Sequence, residues 1–411
     1  MKLIVLSPFV YYPGVPHGGG ALCWGQLEGL SRSHEIHFVS FANPDSAEYQ
    51  LALPSLQRLC ATVSSVPQRL GRLPIIWAQL LLLIKQAPIG ATLFNSDAMA
   101  TALRKIIQTA KPDAVLIQFP QMAQYVDQCN GVPTVMDVQD AFSVSAYRLF
   151  KSQTGLGKKA VNYLNWLAWV SYESRCYSQF SATMALTHQD QIGLEIFSPG
   201  LSAVVSPAAV QVPTKKWLPS SPQTIAYIGS FAHPPNLGAL RFFIHDILPI
   251  ILKDAPEAVF VVAGKDVPPA VIALAGPNLK FVGVVPDAFE FVCAASVVVV
   301  PLKSGGGIKI KTLEAMACGC PIVSTSIGAE ETGAIPGTHM LISDTAPEFA
   351  QAVLTLLKNP SLSADLGANA RALIDERFSW PAKWSSLNSI LQQATTPQPG
   401  QRHHKALQIE R

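Results

Sequence analysis

Between Ser304 and Gly319 the chain reads SGGGIKIKTLEAMACG, directly after the apolar run ASVVVVPL. Three successive glycines, Gly305, Gly306 and Gly307, let the backbone come close to a ligand and turn N–H groups toward it. A helix beginning near Ile308 adds the positive end of its dipole, which suits a phosphate or diphosphate. Lys309 and Lys311 bring mobile positive charge to the place where charge on a leaving group would develop. In that helix Ile310, Leu313 and Ala317 form an apolar stripe against a sheet. Glu314 then lies beside the stripe, about two turns above the phosphates, where a carboxylate is suited to holding both hydroxyls of a ribose. The same residues also fit a glycine turn followed by a solvated helix surface of glutamate and lysine, so the surrounding elements have to decide.

Those elements point to an open parallel sheet, in which ligands bind beyond the carboxyl ends of the strands, where a loop meets a helix. The second half alternates strand TIAYIGSF, a helix from Asn236 to Lys253, strand AVFVVAG, a helix near PPAVIALA, strand LKFVGVV, helix DAFEFVCAA, strand SVVVVPL, the glycine stretch with its helix, and strand PIVSTSI. The first half opens with strand KLIVLSPF, a loop ending in Gly18, Gly19 and Gly20, a helix from Ala21 to Arg32 and strand EIHFVSF, followed by the runs DAVLIQF, PTVMDV and SATMALT. Each half reads as α/β, doubly wound and Rossmann-like. The proline-rich, aperiodic stretch PAAVQVPTKKWLPSSP marks the boundary between them. The expected division is a first domain over 1–206, a linker over 207–222, a second domain over 223–380, a helix over 381–394 and a solvated tail over 395–411.

Composition is consistent with this plan. A chain of 411 residues exceeds one ordinary core and fits two domains of roughly 200 residues. With 49% hydrophobic and 14% charged residues, a large core forms and general disorder is excluded. A net charge of +3 is too small to propose nucleic acid as a partner. The seven cysteines are scattered, with no pair or histidine spacing that would build a zinc site, and read as buried thiols of a reducing compartment. MKLIVLSPFVYYPG lacks the features of a secretory signal and alternates like an opening strand, which points to the cytoplasm.

The most apolar stretch, LPIIWAQLLLLI from Leu73 to Ile84, falls well short of the ~20 residues that span a bilayer. It reads either as a buried helix or as an interfacial helix with Arg72 and Lys85 at its ends, and KKAVNYLNWLAWVSYESR poses the same choice. A nicotinamide-dinucleotide fold is set aside: Gly18 and Gly20 are followed by Cys23 where a third glycine is required, and no nucleophile elbow or Walker lysine is present.

PLKSGGGIKIKTLEAMACGCPIVSTSIGAEE, with YIGSFAHPPNLGALRFF, VVAGKDVPP and FVGVVPD preceding it in order, resembles the signature of the retaining nucleotide-sugar glycosyltransferases of the GT-B fold, the glycosyl transferases group 1 (glycosyltransferase family 4). The resemblance covers Thr224 to Trp380 and extends more loosely to the first half through the GGG loop and the DVQD segment. It implies two Rossmann-like domains facing across a cleft, the first binding the acceptor and the second the donor, with the terminal helix crossing back to the first. Glu314 would hold the donor ribose, and the Gly305–Gly307 amides, Ser304 and Lys309 or Lys311 the diphosphate. Gly229 and Ser230 would line the cleft, Lys265 and Val285 to Asp287 would lie near the base, and Gly18, Gly19 and Gly20 would approach the diphosphate from the other domain.

Three positions depart from the family pattern. The first of its two glutamates falls at Gly306, a common lysine falls at Asn236, and the segment matching a first-domain histidine reads DVQDAF, with Gln139 between Asp137 and Asp140. Asp137 and Asp140 would orient acceptor or sugar, or serve as cap and turn residues. The implied reaction moves a hexose from a nucleotide-diphosphate sugar to a hydroxyl of a glycan or lipid-linked acceptor in polysaccharide or glycoconjugate synthesis. It needs no metal and takes place in the cytoplasm or peripherally at the inner face of a membrane. The alternative that Gly306 and the missing histidine leave open is a non-catalytic nucleotide-sugar-binding or scaffolding subunit.

Overall fold

The computed structural model describes residues 1–15, 18–68, 72–152, 155–221, 223–305 and 307–396. Gly306, Pro222 and residues 397–411 of the expected tail lie outside the described residues. The chain divides into two compact units, residues 1–207 with 384–411, and residues 208–383.

The first unit is built on seven parallel strands: β1 (Lys2–Ser7), β2 (Glu35–Phe41), β3 (Thr62–Val66), β4 (Ala114–Gln118), β5 (Thr134–Asp137), β6 (Ala182–Ala185) and β7 (Ala203–Val205). Their order in the sheet is β3-β2-β1-β4-β5-β6-β7. Alternate residues of the central strands enter two separate cores. Ile4, Leu6, Val115 and Ile117 pack on one face, Leu3, Val5, Ala114 and Leu116 on the other. A sheet buried on both faces explains why these strands read as continuous apolar runs. The helix Gly18–Leu30 follows β1 and includes all three glycines expected to end the loop. A Cβ on Gly19 would sit 3.0 Å from the Phe119 ring, so the glycine serves a close approach rather than a turn.

The second unit holds β8 (Thr224–Ile228), β9 (Val259–Ala263), β10 (Leu279–Gly283), β11 (Val297–Val300), β12 (Ile322–Ser324) and β13 (Leu341–Ile342), in the order β10-β9-β8-β11-β12-β13. The segment expected as a linker is packed on this unit instead. Val210 N donates to Phe378 O at 2.8 Å, and the Trp217 indole donates to Ala295 O at 2.8 Å. Between β8 and β9 runs a helix over Pro234–Phe242, a wider turn over Phe243–Ile247 and a helix over Leu248–Asp254. Pro249 lacks an N–H, which explains why the helical bonding widens just before it. Among the described residues only this run, Pro234–Asp254, is long and apolar enough to cross a membrane, and its Phe243, Ile247 and Ile251 are wholly buried in the core of the unit.

The last helix, Trp380–Thr395, joins the first unit from Trp384 onward. There Leu387, Ile390 and Leu391 enter the core with Leu3 and Val5, and the Trp384 indole donates to Gly25 O at 2.8 Å.

Candidate functional site

In the second sheet the strand order reverses between β8 and β11, and it is at such a switch point that the loops part and leave a crevice. The loop after β8 begins with Gly229 and Ser230, the loop after β9 with Gly264 and Lys265, and the loop after β10 leads through Val285 to Asp287. With Ser304 to Lys309 after β11, every expected donor residue of this unit that the structure describes stands at the carboxyl end of one sheet. Gly264 has φ of +133°, and a Cβ there would lie 1.7 Å from Gly229 O, so only glycine lets these two loops touch.

The glycine stretch is a loop, and its helix starts at Ile310, two residues later than the sequence predicts. Gly305 (φ 116°) and Gly307 (φ 69°) occupy backbone regions that side chains disfavour, and Lys309 is extended as the N-cap, which together postpone the first helical turn. Leu313 and Ala317 are buried as the stripe requires, but Ile310 is 41% exposed because it stands at the very end of the helix.

The two lysines do different things. Lys309 is buried, donates from Nζ to Gly307 O at 2.5 Å and pairs with Glu330 at 3.1 Å. These contacts brace the glycine loop from inside, where the sequence reading expects a mobile cation. Glu330, which the sequence reading passed over, lies in the GAEE stretch only 21 positions on, but nothing in that spacing marks it as the partner of Lys309.

Lys311 spans the switch point. Its Nζ donates to Asn236 Oδ1 at 2.6 Å and lies 4.9 Å from the centre of the Tyr227 ring. Asn236 in turn donates from Nδ2 to Ser230 O at 2.9 Å. The position where the family often has lysine thus holds the amide that positions Lys311. A Cβ on Gly229 would stand 3.1 Å from Lys311 Nζ, so the glycine opens the floor beneath this ammonium. Burial pushes the Lys311 ammonium down to about 8, against the opposing pull of Glu314. Burial raises the Glu314 carboxyl, and Lys311 offsets part of that rise. Glu314 is half-buried, and its carboxylate makes no hydrogen bond with the described residues. It stands four residues into the helix, about one turn from its start rather than two.

Other expected residues carry structural duties. Asp287 accepts from Phe289 N at 2.8 Å and Glu290 N at 3.1 Å, capping the helix Ala288–Cys293. Lys265 and Ser304 are exposed.

In the first unit, Asp137 is buried at the end of β5 and accepts from Gln139 Nε2 at 2.6 Å. Gln139 has φ of +59°, which folds its side chain back onto that carboxylate. Asp140 is exposed and accepts from Ser145 Oγ at 2.9 Å. Next to them lies a group that the sequence did not suggest. Glu173 is buried and accepts from Phe142 N at 2.9 Å and Ser143 N at 3.3 Å, closing the start of the helix Phe142–Ser152. Desolvation raises its carboxyl to about 7. Gly18, Gly19 and Gly20 form the first helical turn after β1, beside the switch point between β1 and β4.

Residues 222–359, most of the second unit, match the model of the glycosyl transferases group 1. Over 403 residues, 94% of this chain and 98% of the relative, the sequence is 23% identical to an uncharacterised 44.6 kDa protein in the cps region of Klebsiella pneumoniae. It is 28% identical over 159 residues to a GDP-mannose-dependent monoacylated alpha-(1-6)-phosphatidylinositol monomannoside mannosyltransferase of Corynebacterium glutamicum, covering 35% of this chain and 42% of that one. The fold is similar to that of HepE of Anabaena in complex with UDP, with a TM-score of 0.63, 14% identity and coverage of 95% of this chain and 100% of the other. With a glycine loop at the switch point, a match to the glycosyl transferases group 1 over most of the unit that carries it and a shared architecture of two parallel sheets, the chain has the GT-B fold and is a nucleotide-sugar-dependent glycosyltransferase.

Proposed function

We propose that the enzyme is a retaining hexosyltransferase that moves a hexose from a nucleoside-diphosphate sugar to a hydroxyl of a glycan or lipid-linked acceptor. The observation that carries this reading is the placing of Lys311, tied to a neutral amide, near Glu314, a carboxylate with no hydrogen bond among the described residues, beside a glycine loop. A cation hydrogen-bonded to an amide rather than a carboxylate retains its charge for a ligand, and a carboxylate without hydrogen bonds can accept from two neighbouring hydroxyls of a ribose.

In the proposed step the acceptor oxygen bonds to the anomeric carbon as the bond from that carbon to the diphosphate oxygen breaks. The acceptor proton passes to the departing oxygen on the same face, so no carboxylate base is needed. Lys311 and the loop amides at Gly305 and Gly307 meet the charge that grows on the diphosphate, which is the role a divalent metal would otherwise fill. Lys309 and Glu330 keep the loop in shape for that task.

A lipid-linked acceptor, handled at the inner face of a membrane, is supported by one surface of the first unit. The helices Phe142–Ser152 and Leu156–Tyr177 expose Leu149, Leu156, Tyr163 and Leu167, with Leu156 87% exposed. Lys151, Lys158 and Lys159 are exposed on the same two helices. Apolar and aromatic side chains mixed with lysines suit an anionic lipid surface. Vesicle flotation tests this: binding to vesicles containing anionic phospholipid, lost in Lys158→Glu/Lys159→Glu, is expected.

HepE was solved with UDP and the Corynebacterium relative is named for GDP-mannose, so the base is to be found by experiment. A thermal-shift series with UDP, GDP, ADP and their sugars should raise the midpoint with one base, because a ligand that binds only the native state stabilises it. The shift should vanish in Glu314→Gln. Anomeric configuration of the isolated product then decides retention. Binding without turnover on any acceptor would favour a scaffolding subunit.

A further inference from the structure

Cys293, Cys318 and Cys320 come from two separate segments, yet their Sγ atoms all lie within 4.8 Å of one another. Cys293 ends the helix Ala288–Cys293, Cys318 follows the last residue of the helix Ile310–Ala317, and Cys320 stands two residues before β12. The cluster therefore sits at the amino ends of β11 and β12, opposite the glycine loop. About 10 Å of helix, at 1.5 Å per residue, separates Cys318 from Lys311.

We infer that these three thiols form a binding site for a soft monovalent metal ion of the copper(I) type, distinct from the donor site. Thiolate sulfur selects soft ions. A metal held about 2.3 Å from each of three sulfurs needs them about 4 Å apart, so small side-chain rotations within the observed 4.8 Å close the set. Structural zinc takes four ligands, and among the described residues no histidine, cysteine, aspartate or glutamate joins these three. Three sulfurs without a fourth donor fit trigonal coordination.

The surroundings fit a metal thiolate as well. Binding a monovalent ion releases up to three protons and leaves excess negative charge on the sulfurs. The Arg371 guanidinium stands close by to meet it, donating from Nη1 to Ala317 O at 2.6 Å, next to Cys318. As thiols, Cys293 donates to Lys215 O at 3.9 Å and Cys320 to Val292 O at 3.4 Å, weak bonds that metal binding would replace. The route to solvent is short. The segment over the cluster bonds to it through Trp217 N to Cys318 O and Leu218 N to Cys293 O, both at 3.1 Å, while Lys215, Lys216 and Leu218 are exposed. Buried cysteines often act only as small apolar side chains. Cys23, Cys60, Cys129 and Cys176 are equally buried and are not gathered in this way, so they serve as controls within the same molecule.

The test uses the reduced full-length chain without oxygen, titrated with copper(I) against a chromophoric copper(I) chelator. One ion per chain, three sulfurs in the copper X-ray absorption spectrum, and at least a tenfold loss of affinity in both Cys293→Ser and Cys320→Ser are expected, with Cys129→Ser unchanged. A second measurement needs no variant. Bound copper should protect Cys293, Cys318 and Cys320 together from alkylation, read by mass mapping of the native protein. Two-coordinate copper, protection of other cysteines, equal affinity in all variants, or tighter binding of zinc through an added fourth ligand would each overturn the assignment.

Discussion

The two sheets reverse order at the same place, between β1 and β4 in the first unit and between β8 and β11 in the second, but they furnish that place with opposite chemistry. In the first unit the switch point is spanned by a neutral chain. Tyr11 OH donates to Gln118 Oε1 at 2.9 Å, and Gln118 Nε2 donates to Gln26 Oε1 at 3.0 Å. In the second it is spanned by an ammonium on an amide, with a carboxylate one helical turn away. Topology supplies the crevice in both units, and side-chain charge decides which one is suited to a diphosphate. Glu314→Gln and Lys311→Met should therefore lower kcat/KM by about 10²–10³ in steady-state assays, since both remove charge from the proposed donor site. Gln118→Met should lower the melting temperature, because it leaves buried polar partners unmatched, yet keep nucleotide affinity within about twofold. Calorimetry that finds Gln118→Met as weak as Lys311→Met would erase the contrast.

The comparison sharpens within the second unit, where two lysines two residues apart are assigned different duties. Lys309→Met should raise the KM for donor by roughly tenfold with less change in kcat, as expected when an orienting group loosens a binding loop. Glu330→Gln should have a similar effect, and the double variant should cost little more than either single one, because the two side chains form one unit. Additive losses would mean that Lys309 reaches the donor itself.

How much of this was legible in the sequence depended on how local the cause was. β2 coincides with EIHFVSF, and β11 lies inside SVVVVPL, because strands buried on both faces need continuous apolar runs. The strands that escaped notice, β3, β7 and β13, all lie at sheet edges. Their segments TVSSV, AVV and LI are short or half-exposed and carry little hydrophobic signal. The glycines at 18–20 suggested a loop because glycine is a poor helix former, but the Phe119 ring against Gly19 outweighs that propensity. The glycine loop before Ile310 was evident from composition. The diversion of Lys309 was not, since it depends on Glu330 meeting it across the fold. The cysteine cluster was invisible for the same reason: spacing rules register neighbours in sequence, whereas Cys293 reaches Cys318 and Cys320 only through packing.

Protonation gives a smaller test of the same contrast. With Lys311 held near 8, its charge is present below that pH and lost as pH rises through it. Nucleoside-diphosphate affinity should accordingly fall several-fold between pH 7 and pH 9, on the order of the tenfold per pH unit that loss of one proton permits. The Lys311→Met variant should be flat over that range. Stability of the unliganded protein should respond in the other direction. The unfolded lysine titrates near 10.5, so between about 8 and 10.5 the unfolded chain holds more protons, and this group's contribution to stability grows with pH. Affinity and stability moving together would mean that Lys311 is not the titrating group.

Glu173 offers the smallest expected effect and bears on the other side of the comparison, since its buried carboxyl closes a helix start in the first unit. Its carboxyl is raised from 4.5 to about 7, so the folded chain holds the extra proton between those values. Stability from this group is present below about 4.5 and declines as pH rises through 7, where the carboxylate must be charged inside the protein. Glu173→Gln keeps an oxygen to accept from Phe142 N but carries no charge. It should melt like the parent at pH 5 and be more stable at pH 8 by about 1 kcal/mol, the relief of desolvation less the charge-assisted hydrogen bonds it gives up. Donor affinity should not change at either pH. A variant that is less stable at pH 8, or one that loses nucleotide binding, would show that charge in the first unit is tied to the ligand as it is in the second, and the division of labour between the two switch points would have to be redrawn.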